Sequence, residues 1–590
     1  MSVTSPDYSE VASGPPIRLR RMLGATALVV LAVLAFEQLE LTPSYPLTFM
    51  LMQTHDVPVL LAVCALLLAL AAVPLPAVLG QWAKNLASWP PYNVVVPIVA
   101  AVLVVAWGTR YVANYTPVSH DEIMAAFDAA IFASGRIMAP IEPQWRSLSW
   151  ALEPVFRLPV AGDVAWVSTY LPGNAAIRGL LGNVFDAAIV NAMLVGVALV
   201  ALAGVARRLW PERPELAAVA VVLAVTSSQV LCMGMTPFAM TAHLTLNMVW
   251  LWLYLRNTHL SHAAAIAVGF LATGLHQLIF HPIFAAPFIL HMLIDRRWRL
   301  GAVYATSYAA IGVFWIVYWQ LLLAGHGIAA PAEQPVGVSF FFDRVAGMLR
   351  DFSASGPETM LQNLLRFSAW QNPLLVVLLV PGMILGWKSG GVMRCLTAGI
   401  VLTLLAMLIL LPYQDIGWGY RYVHGLIGSA ALLAAFLWGK LIAQLQLGER
   451  LAAWCVMAAG TAVALLILLP IHAWQMYAYL SPYTRANASI AGSTSEAVVI
   501  ATFGIHHGIE LVRNDPYLRN RPLTFDIGVL DDALARELCS KMRVSVFGGE
   551  EAQQFGITGI DPRLHADYER LNKLRLFLES AECRELHGGR

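Results

Sequence analysis

Apolar and polar positions alternate along this chain on the scale of whole membrane crossings. Runs of roughly 15–25 apolar residues fall at about 23–41, 57–79, 93–109, 184–205, 215–231, 238–255, 263–276, 279–294, 301–323, 373–387, 395–412, 423–439 and 451–470. The pattern predicts about thirteen membrane-spanning helices. Polar sequence is concentrated in two long intervals, 110–183 and 324–372, and in a tail from 471 to 590. Only 12% of the 590 residues are charged and 58% are hydrophobic, against about 25% charged in a soluble domain. The fold class is therefore a polytopic α-helical membrane protein. The first apolar run follows Arg18, Arg20 and Arg21 and continues without an Ala-x-Ala site, so it reads as an uncleaved span. A net charge of +1 gives no argument for a nucleic-acid partner.

Basic residues set the sidedness. With the N-terminus inside, the short inside segments hold Arg18/Arg20/Arg21, Lys84, Arg207/Arg208/Arg213, Arg256, Arg296/Arg297/Arg299, Lys388/Arg394 and Lys440/Arg450. The short outside segments 37–56, 232–237 and 277–278 hold no Lys or Arg. That alternation follows the positive-inside rule. Glu37 and Glu40 soften the outer end of the first span. The stretch 263–294 is short for two crossings, but basic flanks require it to leave and return on one side. It is either two short spans or a re-entrant hairpin, and the later topology is the same. Loops 110–183, 324–372 and 413–422 and the tail are then expected outside the cytoplasm, in a cell (inner) membrane.

The expected organisation is an N-terminal tail with two spans (1–92), a membrane region (93–470) and a soluble tail (471–590). The tail pattern predicts strands at 497–503, 522–527 and 543–548 and helices at 531–542 and 565–582, a small α/β domain. Cys64, Cys232, Cys395 and Cys455 lie in or beside apolar runs and read as small buried hydrophobes. Cys539 and Cys583 can pair if the tail is outside the cytoplasm. No Cys/His spacing resembles a zinc site, and the sequence demands no cofactor or metal.

Candidate chemistry starts at Ser119-His120-Asp121-Glu122-Ile123, about ten residues past a span. Two acids beside an apolar bundle are costly unless they cap, pair or react. The segment from Asp121 to Gly135 reads as a short amphipathic helix, with Asp121, Ala125, Asp128 and Phe132 on one stripe. One reading makes the acids first-turn helix stabilisers with Ser119 as N-cap; the other makes Asp121 a general base. Arg136, Glu142, Arg146, Asp163, Tyr170 and Arg178 follow in the same loop. Later, Gln414-Asp415-Ile416-Gly417-Trp418-Gly419-Tyr420-Arg421-Tyr422-Val423-His424 enters the bilayer from the outer face. Arg421 and His424 either snorkel within an aromatic belt or bind a lipid phosphate, which a guanidinium fork matches. His276, Gln277 and His281 sit at the outer turn of the short hairpin, lining a cavity or satisfying a kinked backbone near Pro282. Asp343, Arg344 and Arg350 suggest an interfacial amphipathic segment. His506-His507 and Arg513-Asn514-Asp515-Pro516 read as turn chemistry.

The many spans, the Asp121-Glu122 pair in the first large outside loop, the helix through Gly135 and the aromatic-rich Gly419-Tyr420-Arg421-Tyr422 together resemble the GT-C superfamily of membrane glycosyltransferases. That superfamily includes protein O-mannosyltransferases and lipid A aminoarabinose transferases. The likeness covers most of 93–470. The family usually has one span before the acidic loop; here two more come first, so residues 1–80 read as an addition that leaves the third span as the family's first. The Trp-Trp-Asp motif of oligosaccharyltransferases is absent. The resemblance implies inverting transfer of a sugar from a polyprenyl-phosphate donor to a glycan, lipid or protein acceptor. Asp121 is then the expected base with Glu122 as helper, and Arg421, His424, Tyr420, His276 and Arg136 the candidates around the lipid phosphate. A transporter or lipid flippase would instead place its ionisable groups near the midplane, often in repeated halves. A non-catalytic envelope assembly protein would use the tail to recruit partners.

Overall fold

The computed structural model describes residues 14–39, 46–90, 92–186, 189–329, 346–347, 349–350, 356–414 and 416–588. Glu40, Asp343, Arg344 and Asp415 lie outside the described residues. Helices dominate, and each predicted apolar run contains one. Eight described helices are long and apolar enough to cross a membrane. The bent pair Pro214–Val225 and Ser228–Gly234, angled by 60°, makes nine if it forms one span. His259–Thr273, Phe280–Ile294 and Pro373–Ser389 are apolar but shorter. A 15-residue helix rises only ~22 Å, against a hydrocarbon core of ~30 Å. The expectation of about thirteen spans thus depends on helices that length alone does not qualify.

Several basic side chains meet main-chain carbonyls of neighbouring helices at one end of the bundle. Arg20 Nε donates to the Ala71 carbonyl at 2.8 Å and Arg208 Nε to that of Leu255 at 2.7 Å, while Arg18 meets the Gln444 side-chain oxygen. Arg213 Nη1 reaches the Gly439 carbonyl at 3.0 Å. Cations suit these positions because the last carbonyls of a helix carry partial negative charge and lack partners. Loop 110–183, the 411–420 segment and the tail gather together elsewhere on the fold, where Asp121 meets Arg421 and Trp166 Nε1 donates to the Pro516 carbonyl at 2.9 Å.

The short hairpin is stopped by a turn at residues 274–279 that receives the first loop. Leu171, Gly173 and Asn174 donate their amides to the carbonyls of His276, Gly274 and Leu275, at 3.2, 2.8 and 2.9 Å. This small ladder satisfies carbonyls that a helix end would leave open. Gly173 permits the approach, since a Cβ there would lie 2.6 Å from the Gly274 oxygen and 2.9 Å from the Leu275 Cα.

The final membrane helix does not end near 470. Leu447–Ala491 runs for 45 residues, ~67 Å at 1.5 Å per residue. A π-helical turn, Ala464–Leu468, sits just before Pro470, which has no amide proton to give. In the first loop β1 (Ala139–Pro140) pairs with β2 (Ala165–Trp166); beyond the long helix β3 (Ala497–Ala501) is the centre of a parallel sheet with β4 (Leu523–Asp526) and β5 (Val544–Gly548), in the order β4-β3-β5. The helix Asp532–Lys541 joins β4 to β5, and Tyr568–Glu579 and Ala581–Gly588 follow. These elements fall on the predicted segments within a few residues. Cys539 and Cys583 form a disulfide with Cα atoms 5.2 Å apart. The sheet does not have a private core: Val499, Phe525 and Leu538 share one apolar cluster with Met124, Phe127, Ile131, Leu148 and Trp166 of the first loop.

Gly173→Ala is expected to destabilise the protein by about 1–3 kcal/mol, the usual penalty for overpacking against atoms that cannot yield. Thermal unfolding in detergent measures this, and an unchanged midpoint would mean that the ladder gives way freely.

Candidate active site

Residues Ser119-His120-Asp121-Glu122 begin the helix His120–Ala133 through a capping box. Ser119 Oγ accepts the Glu122 amide at 3.3 Å. Glu122 Oε2 accepts the amides of Ser119 and Val118, each at 3.2 Å. The reciprocal bonds satisfy amides that the first turn leaves open. Adjacent residues in a helix point in different directions, so the cap that uses Glu122 leaves Asp121 facing elsewhere.

Asp121 faces the bundle. Its Oδ2 accepts from Arg421 Nη1 at 2.7 Å, Oδ1 accepts the Tyr170 hydroxyl, and His276 Nε2 stands 3.9 Å away. The Asp121 carboxylate is 13% exposed and the Arg421 and His276 side chains 7% each. Burial alone would raise the Asp121 pKa, but the charges of Arg421 and His276 and the bonds from Tyr170 and Arg421 outweigh it and hold the carboxyl below its ordinary range. The Tyr170 ring packs on His276, with centroids 4.1 Å apart. The ladder at the 274–276 turn brings both to the carboxylate.

Arg421 begins a 3-10 turn, Arg421–Leu426, and the preceding segment is pinned around it. Gln414 Oε1 accepts the Arg421 amide at 2.9 Å, and Gln414 Nε2 donates to the Gly419 carbonyl at 3.0 Å. Gly419 has φ +80°, and a Cβ there would strike the Gln229 side chain at 2.5 Å; this position requires glycine. Gln229 itself donates to the Tyr420 carbonyl at 2.8 Å. The guanidinium lies 5.3 Å from the Phe238 ring centroid and 5.2 Å from that of Tyr422, aromatic faces that favour a cation where water is scarce.

Glu122 looks into a different space. A cavity of about 940 Å³ is lined by Glu122, Arg178, Tyr115, Thr116, Asp186 and Thr236, among others. Arg178 is held by Asn191 Oδ1 at 2.6 Å. Burial is the main cause of the rise in the Glu122 pKa to about 7.

The other expected residues are dispersed. His424 is fully buried, and neither ring nitrogen has a hydrogen-bond partner among the described residues. Tyr420 turns its hydroxyl to the Met360 sulfur at 3.7 Å, and Arg136 is exposed beyond the helix end. Tyr170 was visible in the sequence only as one polar residue among many. Asp128 and Glu153 also escaped notice as site candidates. Burial lifts them to about 7 and about 8, and the 3.6-residue period placing Asp128 on the Asp121 stripe was their one signal. Among the described residues no group of three or more His, Cys, Asp or Glu could hold a metal ion.

The tail reaches this helix directly. Glu510 Oε1 accepts from His120 at 3.1 Å and from His507 at 3.0 Å. Burial opposes its ionisation, but the two imidazoles outweigh that and carry its pKa down to about 2. Arg513 donates to the Pro117 carbonyl just before the cap.

No family model matches this chain, and no curated protein matches it. Among solved structures it is similar to ArnT from Cupriavidus metallidurans bound to undecaprenyl phosphate, with a TM-score of 0.47, 16% identity and coverage of 73% of this chain and 85% of that one. The apo state of the same ArnT gives a TM-score of 0.46, at the same identity and coverage. At this level of likeness the roles of Asp121 and its neighbours rest on their own geometry.

Proposed function

We propose that this protein is a membrane glycosyltransferase that moves a sugar from a polyprenyl-phosphate donor to a hydroxyl of an extracytoplasmic acceptor, with inversion. The observation that carries this reading is the meeting of Asp121 with Arg421, His276 and Tyr170 across as many as 300 residues of chain. A carboxylate and a guanidinium at one spot suit a reaction that takes a proton from one reactant and leaves charge on another.

In the proposed reaction the acceptor oxygen attacks the anomeric carbon while the bond from that carbon to the phosphate oxygen breaks. The hydroxyl proton passes to Asp121, and the electron pair leaves with the phosphate. Arg421 stabilises that developing charge, and the His276 imidazole beside the carboxylate can donate a hydrogen bond to it. In the unliganded geometry Arg421 occupies Asp121 and keeps it a weak base. A donor phosphate competes for the guanidinium and adds negative charge nearby, and both effects raise the Asp121 pKa toward the working range. The donor thereby arms the base.

The proposed setting is a cell (inner) membrane, with about thirteen spans, the N-terminus inside, and loop 110–183 and the tail outside. The alternating basic segments support that orientation, and the Cys539–Cys583 disulfide suits an oxidising compartment. A second reading gives the proton transfer to Glu122, because it lines the larger cavity and has a pKa near 7.

Asp121→Asn is expected to lower transfer by about 10²–10⁴-fold while leaving membrane insertion intact. If Glu122→Gln abolishes transfer and Asp121→Asn does not, the base is Glu122. Arg421→Lys keeps the charge but loses the fork, and its apparent KM for a polyprenyl-phosphate-sugar should rise about tenfold or more; an unchanged donor dependence would remove Arg421 from the phosphate site.

The pH profiles carry a third expectation. Free Asp121 loses its proton below the ordinary carboxylate range, so the acid limb of kcat/KM should lie at low pH. Donor binding raises that pKa, so the limb of kcat should lie higher. Coincident limbs, or the reverse order, would contradict the arming step.

A further inference from the structure

The tail contains a cavity of about 560 Å³ that is separate from the Asp121 cluster. It opens past the ends of β3 and β4, lined by Thr502 just beyond Ala501 and by Asp526 at the end of β4. The chain leaves the central strand β3 for β4 on one side, then crosses to β5 on the other. Ligands of parallel α/β sheets bind in crevices beyond the carboxyl ends of the strands. The volume also lies within the range of small-molecule sites.

The walls are firmly built. Gly504 has φ +82°, and a Cβ on Gly508 would lie 2.5 Å from the Thr502 hydroxyl, so the 502–508 loop folds tightly on itself. His506 donates its amide to the Thr558 carbonyl at 3.0 Å, and Ile560 donates to Gly504 at 2.7 Å. The Tyr483 hydroxyl donates to the His506 carbonyl at 2.7 Å. On the far side Tyr413 and Leu47 complete the lining, and Tyr413 belongs to the segment that leads to Arg421.

The lining chemistry is selective. Glu510, Asp526 and Asp567 supply carboxylates, against one guanidinium, Arg570, and three imidazoles, those of His506, His507 and His565. Arg570 is already committed to the carbonyls of Leu530 and Gly528, at 2.9 and 3.0 Å, and pairs with Asp567 at 3.5 Å, which leaves Glu510 and Asp526 in excess. An excess of carboxylates repels phosphates and carboxylates and accepts hydrogen bonds from hydroxyl or amino groups. Glu510 is 6% exposed, and its Oε2 has no partner among the described residues. A buried charged acceptor left open is costly, so it calls for a donor from outside. Phe503 and Tyr413 offer aromatic faces for the apolar side of a sugar ring.

We propose that this crevice binds a hydroxyl-rich sugar unit that carries no acidic group, neutral or amino-substituted. If the transferase reading holds, on which this clause alone rests, the sugar belongs to the acceptor. Glu510 then joins the crevice to the catalytic helix, because it bonds to His120, the residue before Asp121.

Full-length protein in nanodiscs, incubated with an array of neutral, amino and uronic-acid saccharides, tests the proposal without requiring turnover. Retention is expected on neutral or amino sugars and not on uronic acids. It should fall about tenfold or more in Phe503→Ala and in Asp567→Asn, the latter a substitution on the exposed rim that the fold tolerates. A blank array, equal retention of uronic acids, or retention unchanged in both variants would overturn the proposal. Asp121→Asn should still bind the array. If that variant also transfers sugar normally, the transferase reading falls and the crevice stands; a blank array beside Asp121-dependent transfer removes the crevice alone.

Discussion

A carboxylate and a guanidinium that are almost out of water cannot remain there separately. Asp121 and Arg421 are 2.7 Å apart and nearly buried, and removing either would strand the other charge at a cost of about 3–5 kcal/mol. The surroundings keep that contact in place. The capping box fixes the helix that carries Asp121, Gln414 and Gln229 fix the backbone around Arg421, and the ladder at the 274–276 turn brings His276 and Tyr170 to the same oxygens. Glycine appears at Gly173, where two backbones nearly touch, and at Gly419, where a positive φ brings the chain against the Gln229 side chain. The pair itself is a poor source of stability, since desolvation offsets most of its attraction. In the proposed reaction its value lies in holding the two charged groups at one spot.

The first loop and the tail form one body above the bundle. Helix His120–Ala133 turns Met124, Phe127 and Ile131 toward the tail sheet and Asp121 toward the membrane helices. One short helix therefore transmits the position of the tail to the carboxylate. His120 and His507 reinforce this on the polar side, both bonded to one oxygen of the buried Glu510 carboxyl.

Much of this arrangement was legible in the sequence because it depends on residue type and on which end of a span each residue occupies. An Asp-Glu pair past one span, an arginine entering another and a histidine at a hairpin turn all belonged to one side by charge counting, and they are found in contact. The strands of the tail were legible from their runs of Ala, Val, Ile and Phe. What stayed hidden depends on pairing between distant segments. Tyr170 reaches Asp121 only because Leu171–Asn174 dock on the hairpin turn, and no period within the loop announces that. Tyr420 and His424 share the type and neighbourhood of Arg421, yet a 3-10 turn rotates them into the bundle. Pro470 looked like the end of a helix, and a π-turn carries the helix past it. The shared core was invisible for the same reason, since each half shows only an amphipathic face.

The bond between His120 and Glu510 joins positions 390 residues apart. During synthesis the helix bearing Asp121 exists long before the sheet that covers its apolar side. Until the last hundred or so residues are made, Met124, Phe127 and Ile131 have only first-loop partners such as Leu148 and Trp166, and contacts between such distant positions are among the slow events of folding. The helix that presents Asp121 thus reaches its final packing only in chains long enough to contain the tail sheet.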